Sequence, residues 1–136
     1  MQPAGDRGNE HGVSALAATN WTFVNDRVLA VFGPVLILTG VAGFLVPPRV
    51  ALMSGAPAYN LFHIACGALG TIVVLARTVT GAAVFNLGFG AADLYQVAAG
   101  VAGLFPARLF RYKTADHVVH AVIGIGLAAI GWRGLR

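Results

Sequence analysis

Val28-Leu-Ala-Val-Phe-Gly-Pro-Val-Leu-Ile-Leu-Thr-Gly-Val-Ala-Gly-Phe-Leu-Val46 carries no charge and stops at Pro47-Pro48-Arg49. A hydrocarbon core of ~30 Å takes about twenty helical residues to cross, so this run is long enough to be a membrane span. The Pro-Pro pair breaks the helix and Arg49 supplies an interfacial anchor. Three further runs follow the same plan. Ala58–Ala76 holds one titratable group, His63, and ends at Arg77. Gly81–Phe105 carries Asn86, Asp93 and Gln96 and is closed by Pro106 and Arg108. Ala115–Trp132 carries His117 and His120 and ends at Arg133. None shows the alternating pattern of a membrane strand. The expectation is an all-α membrane protein, a bundle of four transmembrane helices at about 28–46, 58–76, 81–105 and 115–132.

Composition agrees. Of 136 residues, 57% are hydrophobic and only 10% charged, against about a quarter charged in a soluble domain. Mean hydropathy is +0.76. A soluble bundle would need charged outer faces that these runs lack. The eighteen glycines suit membrane helices that pack through small residues. The net charge of +4 does not point to nucleic acid, because the cations sit at the ends of apolar runs and no basic patch has interleaved aromatics. Arg108, Arg111 and Lys113, in the loop before the last span, are expected to meet lipid headgroups. The lone cysteine, Cys66, lies in an apolar run and reads as a small hydrophobe.

Residues 1–27 form a polar tail with no opening apolar core, which predicts an uncleaved first span rather than a signal peptide. Residues 1–12 are expected to be disordered, and Ser14–Val24 to form a short interfacial helix with Trp21 and Phe23 at headgroup level. Basic residues divide almost evenly between the two sides, so the polar tail alone favours cytoplasmic termini in an inner (cytoplasmic) membrane.

The chain repeats itself. Gly40-Val-Ala-Gly43-Phe44 before Pro47 recurs as Gly100-Val-Ala-Gly103-Leu104 before Pro106. Each is followed by a loop and a helix with His-x-x-x-Gly near its start, His63 to Gly67 and His120 to Gly124. This pattern predicts two tandem helical hairpins, parallel to one another and related by an axis along the membrane normal.

The blocks Tyr59-Asn-Leu-Phe-His63-Ile-Ala-Cys-Gly67-Ala-Leu-Gly70 and Thr114-Ala-Asp116-His-Val-Val-His120-Ala-Val-Ile-Gly124 resemble the Asn-Leu-x-His and Asp-x-x-x-His-x-x-x-Gly signatures of a bacterial family of four-helix membrane proteins, domain of unknown function 4383. The resemblance covers about residues 25–133 and implies four membrane helices without an assigned activity. His117 departs from it, standing where Asn or another neutral residue would be expected.

Ionisable groups inside spans are costly. Asn86, Asp93 and Gly100 are spaced by seven and share a stripe, which must face the bundle. At 1.5 Å per residue His63, His120 and Gln96 fall at nearly one level, with Asp93 slightly deeper, so these four are expected to form a central polar cluster. Three readings of it stay open. The groups hydrogen-bond together and lock helix register; Asp93 and the histidines mark a proton or ion path; or His63 and His120 ligate a haem or a chlorin. Thr114 or Asp116 is read as the cap of the last helix, where a carboxylate in the first turn complements the dipole.

Triads, phosphate loops, HExxH and paired exposed carboxylates are absent from the sequence, and a non-enzymatic role is expected. The small-xxx-small pairs Thr39/Gly43, Cys66/Gly70, Gly88/Ala92, Ala99/Gly103 and Gly124/Ala128 spread over all four spans. They suggest an accessory or scaffolding subunit that packs against other membrane subunits or against its own copies.

Overall fold

The computed structural model describes residues 7–78 and 80–136, with side chains from residue 20 onward. Among them the chain is entirely helical. Helices α1 (Arg7–Leu45), α2 (Pro57–Leu75), α3 (Gly81–Ala102) and α5 (Thr114–Gly134) are long, and α4 (Ala107–Phe110) is a single turn. Three are long and apolar enough to cross a membrane: α1 over Asn20–Leu45, α2 and α5. Helix α3 has the length, at 22 residues, but Asn86, Asp93 and Gln96 make it more polar.

The boundaries answer to local chemistry. Pro57 opens α2, where a missing N–H costs nothing. Helix α3 ends earlier than the expected span, because Gly103 adopts a left-handed φ of 68° and the chain turns there. The residues beyond it form the α4 turn. Helix α1 differs most from expectation. It runs unbroken for 39 residues, about 58 Å at 1.5 Å per residue. Residues 14–24 are therefore part of α1 and not a separate interfacial helix, since the helix runs through Asn25 and Asp26 into Val28 without a break. Residues 7–12, expected to be disordered, are helical too; residues 1–6 lie outside the described residues.

Helix α1 packs closely along α2, and α3 along α5. These two hairpins meet more loosely through α1 with α3 and α5, and through α2 with α3. Glycines set the close packing. A Cβ on Gly67 would stand 2.5 Å from the Gly33 carbonyl oxygen, and one on Gly90 would stand 2.7 Å from that of Gly124. A side chain at Gly43 would strike Asn60, and one at Gly100 would strike His117. Thus Gly33, Gly43, Asn60 and Gly67 of the first hairpin match Gly90, Gly100, His117 and Gly124 of the second, all displaced by 57 residues. The Gly-Val-Ala-Gly alignment, displaced by 60, is out of register by nearly one helical turn. Backbone contact, rather than the motif's appearance, decides which residues are equivalent. His117 stands where the first hairpin has Asn60.

Equivalent residues also meet at the centre. Phe32 packs edge-on to Phe89, with centroids 5.5 Å apart, and His63 stacks with His120 at 6.2 Å. Contacts between a residue and its own counterpart mark a twofold-like axis, as in an isologous dimer. It passes between the two hairpins.

Candidate functional site

The polarity of the bundle is inverted. Asn86, Asp93, Gln96, Asp116, His63 and His120 are 0–4% exposed, while Val101, Phe105 and Leu75 are 74–79% exposed. A buried polar side chain needs a partner, and Asn86, Asp116 and His120 find theirs across the hairpin boundary.

Tyr59, at the start of α2, is the hub. Its hydroxyl donates to Asp116 Oδ1 over 2.9 Å and lies 2.9 Å from His120 Nε2. The one hydroxyl proton goes to Asp116, so His120 Nε2 is the donor to Tyr59 Oη and its Nδ1 is a bare acceptor. That Nδ1 is buried without a partner among the described residues. His63 Nδ1 is 2.9 Å from the Tyr59 carbonyl oxygen one turn earlier and donates to it.

Asp116 does more than cap. Oδ2 does accept the Lys113 backbone N–H at 2.6 Å, closing the first turn of α5 as expected. It also accepts the Ser54 N–H at 3.0 Å, and Oδ1 accepts Tyr59. Ser54 Oγ in turn donates to the Phe110 carbonyl oxygen. One carboxylate therefore ties together the 46–56 loop, α2 and α5. Its sequence signal was the cap position alone, because the Ser54 and Tyr59 contacts span about sixty residues.

The expected cluster of His63, Asp93, Gln96 and His120 is brought together in part. Both histidines and Asp93 line one central cavity of about 220 Å³, with Phe32, Leu36 and Phe89. Leu36 is the counterpart of Asp93, so a leucine fills in the first hairpin the place the carboxyl takes in the second. Gln96 sits to one side, where its Nε2 is 3.4 Å from Asp93 Oδ1 and its Oε1 accepts the Tyr112 hydroxyl at 3.1 Å. Burial, and then the nearby carboxylates of Asp116 and Asp93, hold the Tyr112 phenol above its ordinary range.

A haem or chlorin does not fit these residues. The imidazoles lie stacked, 28° from parallel, and His120 Nε2 is engaged by Tyr59. The cavity is also below the ~300–1,000 Å³ usual for small-molecule sites. Among the described residues no three His, Cys, Asp or Glu side chains are placed to hold a metal ion. Nor does the cluster continue as a polar path. The cavity's own apolar lining of Phe32, Leu36 and Phe89 continues into an apolar layer with Leu127, Phe62, Cys66 and Phe85. Beyond that layer, Asn86 Nδ2 donates to Asn25 Oδ1 at 2.9 Å, a second polar tie that sequence reading missed.

Of the expected headgroup ligands, Arg108 and Arg111 are exposed. Lys113 is committed differently: its Nζ donates to the Pro48 and Ala51 carbonyl oxygens. At the opposite end Arg133 lies over Trp21 and Arg136 over Trp132, at 4.9 and 4.8 Å.

No protein-family model matches the chain, and no curated protein or solved structure matches it either.

Proposed function

We propose that the chain is a four-span integral membrane protein of the cytoplasmic membrane that acts, without catalysing, as a packing subunit of a larger membrane assembly. The carrying observation is the inverted polarity. It supports α3 as the fourth span, because Asn86, Asp93 and Gln96 are all buried while Val84, Leu94 and Val101 face outward. Hydrocarbon would then meet an apolar surface on every long helix. Arg–Trp pairs at one end and Arg108 and Arg111 at the other suit two headgroup levels. The likeness to the four-helix family in the Tyr59 and Asp116 blocks points the same way.

The polar cluster is an internal lock. Tyr59, Asp116 and His120 bond to one another across the two hairpins, and the apolar layer beside the cluster weighs against a proton or ion path. The outward face of α3 favours a partner. Gly43, Gly70 and Gly124 are used inside the chain, but Gly88 is exposed, with no atom of the described residues near the position of a Cβ. In a bilayer such a face invites another helix. Native purification in mild detergent tests this reading: a co-purifying membrane protein is expected, and a lone monomer would count against it.

A further inference from the structure

Between α2 and α3 the hairpins part to leave a groove of about 580 Å³, within the ~300–1,000 Å³ range of small-molecule sites. Leu61, Phe62 and Ala65 form one wall, Ala92 and Tyr95 the other, and α4 closes the end with Pro106, Leu109 and Phe110. The polar groups on its walls are already used. Tyr95 Oη donates to the Phe105 carbonyl oxygen at 2.8 Å, and Gln96 binds Tyr112 and Asp93. An occupant therefore meets apolar surface alone.

The end of the groove is different. Phe105, Pro106 and Leu109 also line an adjoining hollow of about 290 Å³ that contains Arg108. A guest that filled both would lie against apolar walls along its length and meet a cation at its end. Leu61, Tyr95, Phe105 and Leu109 are exposed, so the groove opens sideways, toward the bilayer on the membrane reading above.

We infer that the α2–α3–α4 groove is a binding site for one anionic phospholipid, its acyl chain along Leu61, Ala65, Ala92 and Tyr95 and its phosphate at Arg108. The site rests on the four-span reading and extends it to a defined lipid. It also gives α4 a purpose, since the first hairpin's connection at 46–56 has no helix in the corresponding place.

The experiment uses the full chain in mild detergent, offered phosphatidylglycerol or phosphatidylcholine with identical acyl chains and examined by native mass spectrometry. One phosphatidylglycerol per chain is expected to survive detergent washing, favoured about fivefold over phosphatidylcholine, the effect of one cation on an anionic head. Arg108→Gln should remove the preference. Ala65→Phe, at an exposed position, should remove retention of both lipids while leaving the melting temperature near that of the wild type. Equal retention of the two lipids by the wild type, or wild-type retention by Ala65→Phe, overturns the site. Alkaline extraction of cell membranes is run beside it. A chain released by that wash refutes the four-span reading and the site with it, whereas a chain that stays embedded but shows no lipid preference refutes the site alone.

Discussion

His63 and His120 stack across the middle of the bundle with centroids 6.2 Å apart, and each is the other's counterpart in the repeat, 57 residues along. Tyr59 and Asp116, linked through 2.9 Å one turn above them, are counterparts too. The axis relating the hairpins therefore runs through the polar cluster. It is occupied by unlike partners, a phenol facing a carboxylate, which an exact dimer of hairpins could not provide.

Asp116 should contribute more to the stability of the lock than the Tyr59 hydroxyl does. Tyr59→Phe removes one hydroxyl shared by two partners and is expected to cost about 1 kcal/mol, in line with interhelical hydrogen bonds in membranes. Asp116→Ala strands the Ser54 and Lys113 N–H groups as well as the phenol, and should cost about 3 kcal/mol or more. Thermal unfolding in detergent, followed by circular dichroism, reads both; equal effects would mean that the Ser54 and Lys113 contacts are idle.

Glycine substitutions should separate by what the new methyl meets. Gly67→Ala forces a carbon against the Gly33 carbonyl oxygen and is expected to cost about 2–3 kcal/mol. Gly88→Ala meets open space and should be neutral or stabilising by up to about 1 kcal/mol, through helix propensity. The same unfolding assay checks the pair.

If α3 offers its outer face to a partner, Gly88→Leu should leave the melting temperature near that of the wild type yet reduce co-purification of any bound membrane protein. Loss of both together would show instead that Gly88 belongs to the chain's own packing.

Asn25 and Asn86 form the tie below the apolar layer. A double-mutant cycle with Asn25→Ala and Asn86→Ala is expected to give a coupling of about 0.6 kcal/mol, and no more than about 1.7. A coupling of zero would mean that the pair does not hold α1 against α3.

Alkaline pH supplies a signed test through Tyr112, which lies outside the long helices. Its folded-state ionisation is pushed up by burial and by Asp116 and Asp93. The unfolded chain then loses this proton at lower pH than the folded one. The contribution is complete below the ordinary phenol value, about 10, and is lost as pH rises above it. Tyr112→Phe should flatten the decline in melting temperature above about pH 10. An unchanged slope would show that other groups cause it.

Much of the fold was legible because burial in an apolar chain is a matter of local composition. The uncharged runs, the Pro-Pro break and the seven-residue spacing of Asn86, Asp93 and Gly100 each depend on neighbours within a turn or two, and they located the long helices and the buried face of α3. The depth count brought His63 and His120 to one level for the same reason: rise per residue is a property of the helix alone. That count could not see the contacts of Tyr59, whose partners lie about sixty residues away, nor the Asn25–Asn86 tie, nor the length of α1.

The sequence by itself determined the apolar helices, the duplicated hairpin and the inward side of the polar stripe, since each follows from periodicity along one chain segment. Only the tertiary structure decided the register of the repeat, the place of Asp116 at the junction of three segments, and the groove beneath α4. Those depend on how close two backbones come. That distance is set by which glycine lies opposite which carbonyl, as Gly67 lies against Gly33 and Gly90 against Gly124.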